Sequence, residues 1–330
     1  MKKRPEKKNE TALTFTVFTP TYNRGHTLER VYESLKAQTY KNFEWVVVDD
    51  GSIDRTADMI SQWAKEAHFP IHYFFQVNQG KHVAFNLGLE KAAGTFFVPL
   101  DSDDTCLPHA LERLLAIWDS IPLSQQENFS GVCVLCINQH GDHVGSSFPG
   151  AVMDSTPSEI TYKYKVTGEK WGCHRTEVLR AYPFPSLEGV RYIPESLLWN
   201  QVGQAYKMRC VNEALRVYYE SSSPDTLTAL STTEAYLLGR LYFYVWSFNH
   251  NSRWFFSSPW CFFKDAIQYG RFSRRLGISW REQYDKLTQG VGQGLFLLAT
   301  PVSFLLYKWD RLQLQKSEKP TDLPSEESPL

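Results

Sequence analysis

Over residues 13–120 the chain alternates between short unbroken apolar runs and segments whose apolar positions recur at helical spacing. Phe15 to Thr19 is the first run, and the Pro, Asn and Gly of the following PTYNRG mark a loop. Leu28, Val31, Tyr32 and Leu35 then follow the i, i+3, i+4, i+7 stripe of an amphipathic helix. Phe43 to Val48 is a second run, closed by Asp49 and Asp50, with Gly51 and Ser52 turning the chain. Asp54 is placed to cap a helix whose inner face is Ala57, Ile60, Trp63, Ala64 and Ala67. Ile71 to Phe75 is a third run, and the NQGK loop, Asn78 to Lys81, leads into a helix through Ala84, Leu87, Gly88 and Ala92. Thr95 to Leu100 is a fourth run, and it stops at three carboxylates, Asp101, Asp103 and Asp104. A further helix, with Pro108 in its first turn, buries Leu111, Leu114, Leu115 and Trp118.

Strands alternating with amphipathic helices predict an α/β fold, Rossmann-like: a mostly parallel sheet with right-handed crossovers and helices on both faces. Ligands of such sheets bind outside the carboxyl ends of the strands. That geometry gathers PTYNR, DDGS, NQGK and DSDD onto one rim. Neither GxGxxG nor GxxxxGK[ST] occurs at these turns, which excludes the usual nicotinamide and P-loop cradles. Clustered carboxylates repel and raise one another's pKa unless a cation relieves them, and Mn²⁺ or Mg²⁺ shared with phosphate oxygens is the economical partner. The plain alternative is a solvated acidic turn in which Asp104 or Thr105 caps the next helix.

Beyond residue 120 the pattern is less regular. Ser130 to Ile137 and His143 to Phe148 read as paired strands around Gly141, KWGCHR (Lys170 to Arg175) as part of a loop, and Ala214 to Tyr219 as a strand. Residues 235–314 are helical and aromatic, and 315–330 read as a disordered tail. The expected organisation is therefore a flexible basic tail over 1–12, a catalytic domain over 13–220 divided near residue 120, the helical region 235–314, and the tail.

The formal net charge of the 330 residues is −1, so no overall basic field points to nucleic acid. No apolar signal-peptide core follows the basic N-terminal residues, and the six cysteines lack the density of a disulfide scaffold, so a reducing, cytoplasmic setting is expected. Cys133 and Cys136 spell CxxC but fall on opposite faces of a strand, with no second pair at zinc spacing.

TPTYNR, VVVDDGSIDRT, NQGKHVAFNLG and LDSDD, in this order, resemble the family 2 glycosyltransferases of the GT-A fold, over about Thr14 to Tyr219. The resemblance implies a nucleotide-diphosphate sugar on the rim, with Thr19 and Tyr22 lining the uridine pocket, Asp50 bonded to the base and Lys81 near the nucleotide. It places Asp101 on the ribose side and Asp103 at the metal, with Asp104 sharing or replacing that role. The family's catalytic base is the Asp of EDxxLW; here PESLLW puts Pro194 where the Glu belongs and Glu195 where the Asp belongs. Lys170, Trp171 and His174 precede it, on the acceptor side.

The expected activity is inverting, metal-dependent transfer of a sugar, from a UDP-sugar, to a glycan or lipid-linked acceptor, with Glu195 as general base. The alternative from another class is a non-catalytic scaffold subunit of an envelope-glycan assembly complex. Its clustered carboxylates would then have no use. Leu295 to Tyr307 is apolar but shorter than the ~20 residues of a spanning helix, and Pro301 interrupts it. Aromatic residues from Trp246 to Phe263, interleaved with Arg253, Lys264, Arg271, Arg274 and Arg275, predict peripheral contact with an anionic membrane on its cytosolic face.

Overall fold

The computed structural model describes residues 13–220 and 233–317. The expected basic tail and residues 318–330 lie outside the described residues. The chain divides into two compact units, Met1–Arg240 and Leu241–Leu330.

In the first unit, β1 (Phe15–Thr21), α1 (Gly25–Lys36), β2 (Phe43–Asp49), α2 (Thr56–Glu66), β3 (Ile71–Phe75), α3 (Lys81–Lys91) and β4 (Phe96–Pro99) follow the order that the apolar pattern predicts. β1 runs parallel to β2 and to β4, and β2 to β3. Every residue of β1 and β2 is buried, because helices cover both faces of a parallel sheet. On one face Tyr32 stacks on Trp63 at 4.7 Å between ring centroids, and both rings lie against Trp45. On the other, Phe18, Phe85 and Phe97 pack together at 5.1 to 5.4 Å. The connections run outward from β1 through β2 to β3, then return across it to β4. The reversal between β1 and β4 opens a crevice at their carboxyl ends, where loops 22–24 and 100–104 emerge.

The sheet continues with β5 (Thr105–Cys106), β6 (Phe129–Asn138), β7 (Val152–Ser155), β8 (Lys170–Arg175) and β9 (Lys207–Tyr218), in the order β3-β2-β1-β4-β8-β6-β9-β5, with β7 also paired to β9. Helices α4 (Ala110–Asp119), α5 (Thr176–Arg180) and α6 (Ser196–Val202) complete the unit. Two expectations are corrected here. Residues 143–148 do not form a strand on β6; a single bridge joins Ile137 to His143. β6 is already occupied along both edges, by β8 antiparallel and β9 parallel, and the Asn138 side chain closes the intervening turn on His140 and Asp142. KWGCHR is not a loop but β8, inserted between β4 and β6. Gly172 permits that insertion, since a Cβ there would sit 1.9 Å from the Val132 carbonyl oxygen.

α7 (Glu234–His250) carries the chain into the second unit, which contains α8 (Pro259–Arg275), α9 (Trp280–Asp285) and α10 (Gly290–Ser317). α10 is continuous over 28 residues with Pro301 inside it, so the proline does not interrupt the helix, and residues 315–317 belong to it rather than to a tail. The carbonyl that Pro301 leaves without a helical N–H belongs to Leu297, on the open side of the helix. The opposite side is fastened to α8: Arg271 donates to both carboxylate oxygens of Asp310 at 2.7 and 2.6 Å, and Arg274 to Ser303 Oγ at 2.8 Å. The aromatic cluster divides. Phe248 and Phe262 are core, whereas Phe256 and Trp260 are 87% and 64% exposed.

Candidate functional site

The rim is built from the loops that follow β1, β2, β3 and β4. After β1, Asn23 adopts a positive φ and ties the loop to its neighbour: its N–H donates to Ser52 Oγ at 2.8 Å, and its Oδ1 accepts from the Ile53 N–H at 2.9 Å. Tyr22 stands outward, 49% exposed. Thr19 does not reach the rim. Its side chain is buried within the sheet and its hydroxyl accepts the Trp45 indole N–H at 2.9 Å, which corrects its expected place beside a base.

After β2, Asp50 is committed to shaping the next loop. One oxygen accepts from Gln76 Nε2 at 2.7 Å and the Gln79 N–H at 2.8 Å, the other from the Gly80 N–H at 2.8 Å. These bonds hold Gly80 at a φ of +99°, where a Cβ would lie 2.1 Å from the Arg191 carbonyl oxygen. The loop thereby delivers Lys81 to the start of α3. Its ammonium meets Asp101 Oδ1 at 2.5 Å and Glu195 Oε1 at 2.7 Å. Burial alone would strip the charge from Lys81, but the two carboxylates outweigh it and raise its pKa above the ordinary lysine range.

After β4 the three acids part company. Burial would raise the Asp101 carboxyl, but Lys81 and Arg216 hold it down to about 2; Arg216 Nη2 lies 3.1 Å from its other oxygen. Asp104 is a correction to the expected shared metal site: it is 1% exposed, bonded through both Nε and Nη2 of Arg216 and by the Tyr219 N–H at 2.9 Å. One of its oxygens carries both guanidinium bonds and the other the Tyr219 N–H. Asp103 differs from both in having no ion pair among the described residues; burial and the nearby Asp101 charge raise its pKa, as burial raises that of Asp104 to about 6. Arg216, near the carboxyl end of β9, is the principal residue that sequence reasoning missed. An arginine within an apolar strand is itself a signal, because a buried guanidinium requires carboxylates.

Glu195 immediately precedes α6, yet its carboxylate does not cap the helix; it turns to Lys81. A cleft of about 570 Å³ opens beside it, lined among others by Lys81, His82, Phe85, Asp101, Trp171, His174, Phe184, Tyr192, Trp199 and Arg216. Trp171 is fixed by its indole N–H to the Pro99 carbonyl at 2.5 Å, and Lys170 Nζ turns back to the Thr167 carbonyl at 2.7 Å. The structure thus brings Lys81, Asp101 and Glu195 into direct contact although they are far apart in sequence, and sets Asp103 close enough to feel Asp101. A carboxylate facing an open cleft is placed to accept a proton from a hydroxyl that enters it.

Comparison with known proteins places these features in a family context. An uncharacterized glycosyltransferase of Nostoc sp. is 39% identical over 105 residues, 32% of this chain and 33% of that protein. An uncharacterized glycosyltransferase of Rickettsia felis is 34% identical over 138 residues, and the chain spans only 21% of its length. A Campylobacter jejuni protein named GalNAc(5)-diNAcBac-PP-undecaprenol beta-1,3-glucosyltransferase is 28% identical over 229 residues, 67% of this chain and 69% of that protein. Among solved structures, TarS 1–349 of S. aureus in complex with UDP shares the fold with a TM-score of 0.57 at 19% identity, covering 94% of this chain and 95% of that one. Residues 16–126, from β1 through the loop after α4 and including every rim acid of the first half, match the model of Glycosyl transferase family 2.

Proposed function

We propose that the protein is an inverting glycosyltransferase that moves a sugar from a nucleotide-diphosphate donor, a UDP-sugar, to a hydroxyl of a glycan or lipid-linked acceptor. The observation that carries this reading is the Lys81 bridge, 2.5 Å to Asp101 on the nucleotide rim and 2.7 Å to Glu195 in the cleft. It puts a donor-side acid and a candidate base on either side of one lysine. Glu195 takes the acceptor proton as the acceptor oxygen attacks the anomeric carbon opposite the diphosphate, so a single displacement inverts that centre. Tyr22 lines the nucleotide pocket, Asp50 shapes it through the loop 76–80, and Thr19 supports it from beneath. The S. aureus TarS structure titled as a complex with UDP-GlcNAc supports the donor class, and the Campylobacter relative's name, with its undecaprenol-linked acceptor, supports the acceptor class.

Asp103 fits a divalent ion that takes one or two carboxylates and completes its shell with phosphate oxygens and water. No group of three or more His, Cys, Asp or Glu is poised to cage an ion among the described residues, so the diphosphate and water would supply most ligands of Mn²⁺ or Mg²⁺. Such an ion, when bound, offsets charge on the departing diphosphate. The neighbour titled GalNAc-T7 with UDP, GalNAc and Mn²⁺, with a TM-score of 0.50, is consistent with that chemistry. The test is thermal stability with UDP and Mn²⁺. Stabilisation should need both and vanish in Asp103→Ala; equal stabilisation by UDP with EDTA present refutes the metal role, and none under any condition refutes the donor class.

The second unit supports a peripheral place on an anionic membrane. Residues 290–313 of α10 include an 18-residue stretch with a mean hydropathy of 1.4, enough in length and composition to cross a membrane, and 28% of that stretch is buried. Leu298, Val302, Leu305, Trp309 and Leu312 recur along one exposed face, while Ser303 and Asp310 are bonded to arginines of α8. A helix with one apolar face and one ion-paired face suits lying in the interface rather than crossing it.

A further inference from the structure

The first turns of α7 are pressed against the segment that leads to Glu195. The Arg191 N–H donates to the Ala235 carbonyl at 3.1 Å, the rings of Tyr192 and Tyr236 stack with centroids 5.7 Å apart, and a Cβ on Gly239 would lie 1.8 Å from the Tyr192 carbonyl oxygen. Any larger residue at 239 would push the helix away. The next residue, Arg240, is thereby held in the wall of the cleft, together with Tyr192 and Glu195. Arg240 and Tyr192 are both half-buried, and both end without a partner: neither the guanidinium nor the phenol hydroxyl has a hydrogen bond or an ion pair among the described residues.

The other cations of the cleft are engaged. Lys81 meets Asp101 and Glu195, Arg216 meets Asp101 and Asp104, and the Lys170 ammonium is turned to the Thr167 carbonyl. Glu169, the remaining carboxylate of the lining, lies in the field of Arg216, Asp101, Glu195 and Lys81 rather than against Arg240. Burial and the Glu195 charge raise the pKa of the Tyr192 phenol against the pull of Arg240, so the hydroxyl keeps its proton at neutral pH and stands near both groups. A guanidinium has five N–H donors and no acceptor, and the phenol adds an O–H donor. A cationic ligand is repelled by this pair, and a neutral alcohol leaves the half-buried charge uncompensated. Phosphate or carboxylate oxygens supply both the opposite charge and acceptors that match the planar fork.

We infer that Arg240 and Tyr192 form a receptor for an oxyanion, a phosphate or a carboxylate, that the acceptor carries close to its attacking hydroxyl. The acceptor's part in this rests on the glycosyl-transfer reading, whereas the chemistry of the receptor rests on the two open donors. The donor's diphosphate is the other source of such an oxyanion. The acceptor is favoured because both donors are built on the packing of α7 against the segment before Glu195, while the nucleotide rim is built from the loops after β1 to β4 and brings its own cation, Lys81.

The test uses the full chain in phosphate-free buffer, with saturation-transfer NMR against methyl phosphate and methyl glucuronide, and with neutral methyl glucoside as the control. Saturating UDP and Mg²⁺ are present, so that the donor's place is filled. At least one of the two anions should bind the wild type more tightly than the control does, and which of them binds names the oxyanion. Arg240→Gln should weaken that anion about tenfold, Arg240→Lys, which keeps the charge without the fork, should recover part of the loss, and Tyr192→Phe should weaken it severalfold. The melting temperature of ligand-free Arg240→Gln should equal or exceed that of the wild type, because an uncompensated charge has been removed; Tyr192→Phe provides the binding comparison if Arg240→Gln fails to fold. Calorimetric affinity for UDP should be the same in Arg240→Gln as in the wild type. The receptor is overturned if neither anion binds better than the control, or if Arg240→Gln and Tyr192→Phe bind the anion as the wild type does. A loss of UDP affinity in Arg240→Gln that matches the loss of the anion overturns the acceptor assignment and gives the receptor to the donor's diphosphate. Failure of UDP to bind the wild type would refute the proposed donor, while the same anion titration without UDP still decides the receptor.

Discussion

The two buried histidines make the first unit acid-sensitive well above the pH at which its carboxylates protonate. His82 and His174 have an ordinary pKa of 6.5 and are held near 4 and near 3 by burial. A group whose folded pKa lies below its unfolded value leaves the unfolded chain to bind protons first. Stability is therefore full above pH 6.5 and falls as the pH drops through the interval from 6.5 to the folded value. From pH 8 to pH 5 each histidine contributes a loss of about 2 kcal/mol, about 4 kcal/mol together, which is a large fraction of the 5–15 kcal/mol typical of a folded domain. Asp101, held at about 2, is ionised in both states over this range and contributes nothing to the slope. Asp103, Asp104 and Glu169, whose pKa values burial raises, act in the opposite direction. A difference between variants removes their effect. Because the chain forms two compact units, the first is followed by hydrogen exchange at amides of α3 and β8 rather than by one global transition. The difference in opening free energy between pH 8 and pH 5 should shrink by about 2 kcal/mol in His174→Phe and by a similar amount in His82→Leu. A variant with the same pH dependence as the wild type would show that these rings protonate in place and that the burial argument is wrong.

General-base catalysis is worth about 10² to 10⁴ in rate, so Glu195→Gln should reduce turnover by that order while calorimetric UDP affinity stays nearly unchanged; wild-type turnover would place the base elsewhere. Arg216→Met leaves Asp104 buried without its partner and should destabilise the first unit by about 3 to 5 kcal/mol, measured by the same exchange experiment. Recovery of stability in the double variant with Asp104→Leu is expected, since the penalty belongs to the orphaned charge. In the second unit, Leu298→Ser with Leu305→Ser and Trp309→Ser should abolish sedimentation with anionic liposomes, whereas raised salt should only weaken that of the wild type. Wild-type protein that stays in the supernatant at low salt would make the exposed face of α10 irrelevant to membranes.

What was legible in the sequence follows the physics of parallel sheets. β1, β2 and β4 are covered on both faces, so they read as apolar runs, and their ends read as acids because the rim is where the apolar cover stops. β6 illustrates what was not legible. A run of apolar residues followed by a glycine turn invites a hairpin, but the partners of β6 come from residues 170–175 and 207–218, and their choice depends on long-range contacts absent from any local window. Pro301 misled for a related reason: its cost depends on whether the carbonyl it orphans is buried, and Leu297 is on the open side. His82 gave no signal at all, because a histidine beside a lysine at a helix start looks polar and turns out to be core.

Clustering of Asp101, Asp103 and Asp104 pointed to a cation, and the structure changes which cation answers it. Lys81 and Arg216 satisfy Asp101, and Arg216 satisfies Asp104, so two of the three acids are stable as they stand. Asp103 is the one acid of the three without an ion pair among the described residues, and burial and the Asp101 charge raise its pKa. One carboxylate is too few ligands to retain Mg²⁺ or Mn²⁺ against water, and Lys81 sits where a second would be recruited from Asp101. Any divalent ion is therefore expected to arrive with the diphosphate that completes its shell rather than before it. Mn²⁺ titrated alone should produce no heat and no thermal shift, and Mn²⁺ with UDP should produce both. Tight binding of Mn²⁺ by itself would mean that Asp101 abandons Lys81 in the empty protein, and that the bridge to Glu195 is weaker than its 2.7 Å contact implies.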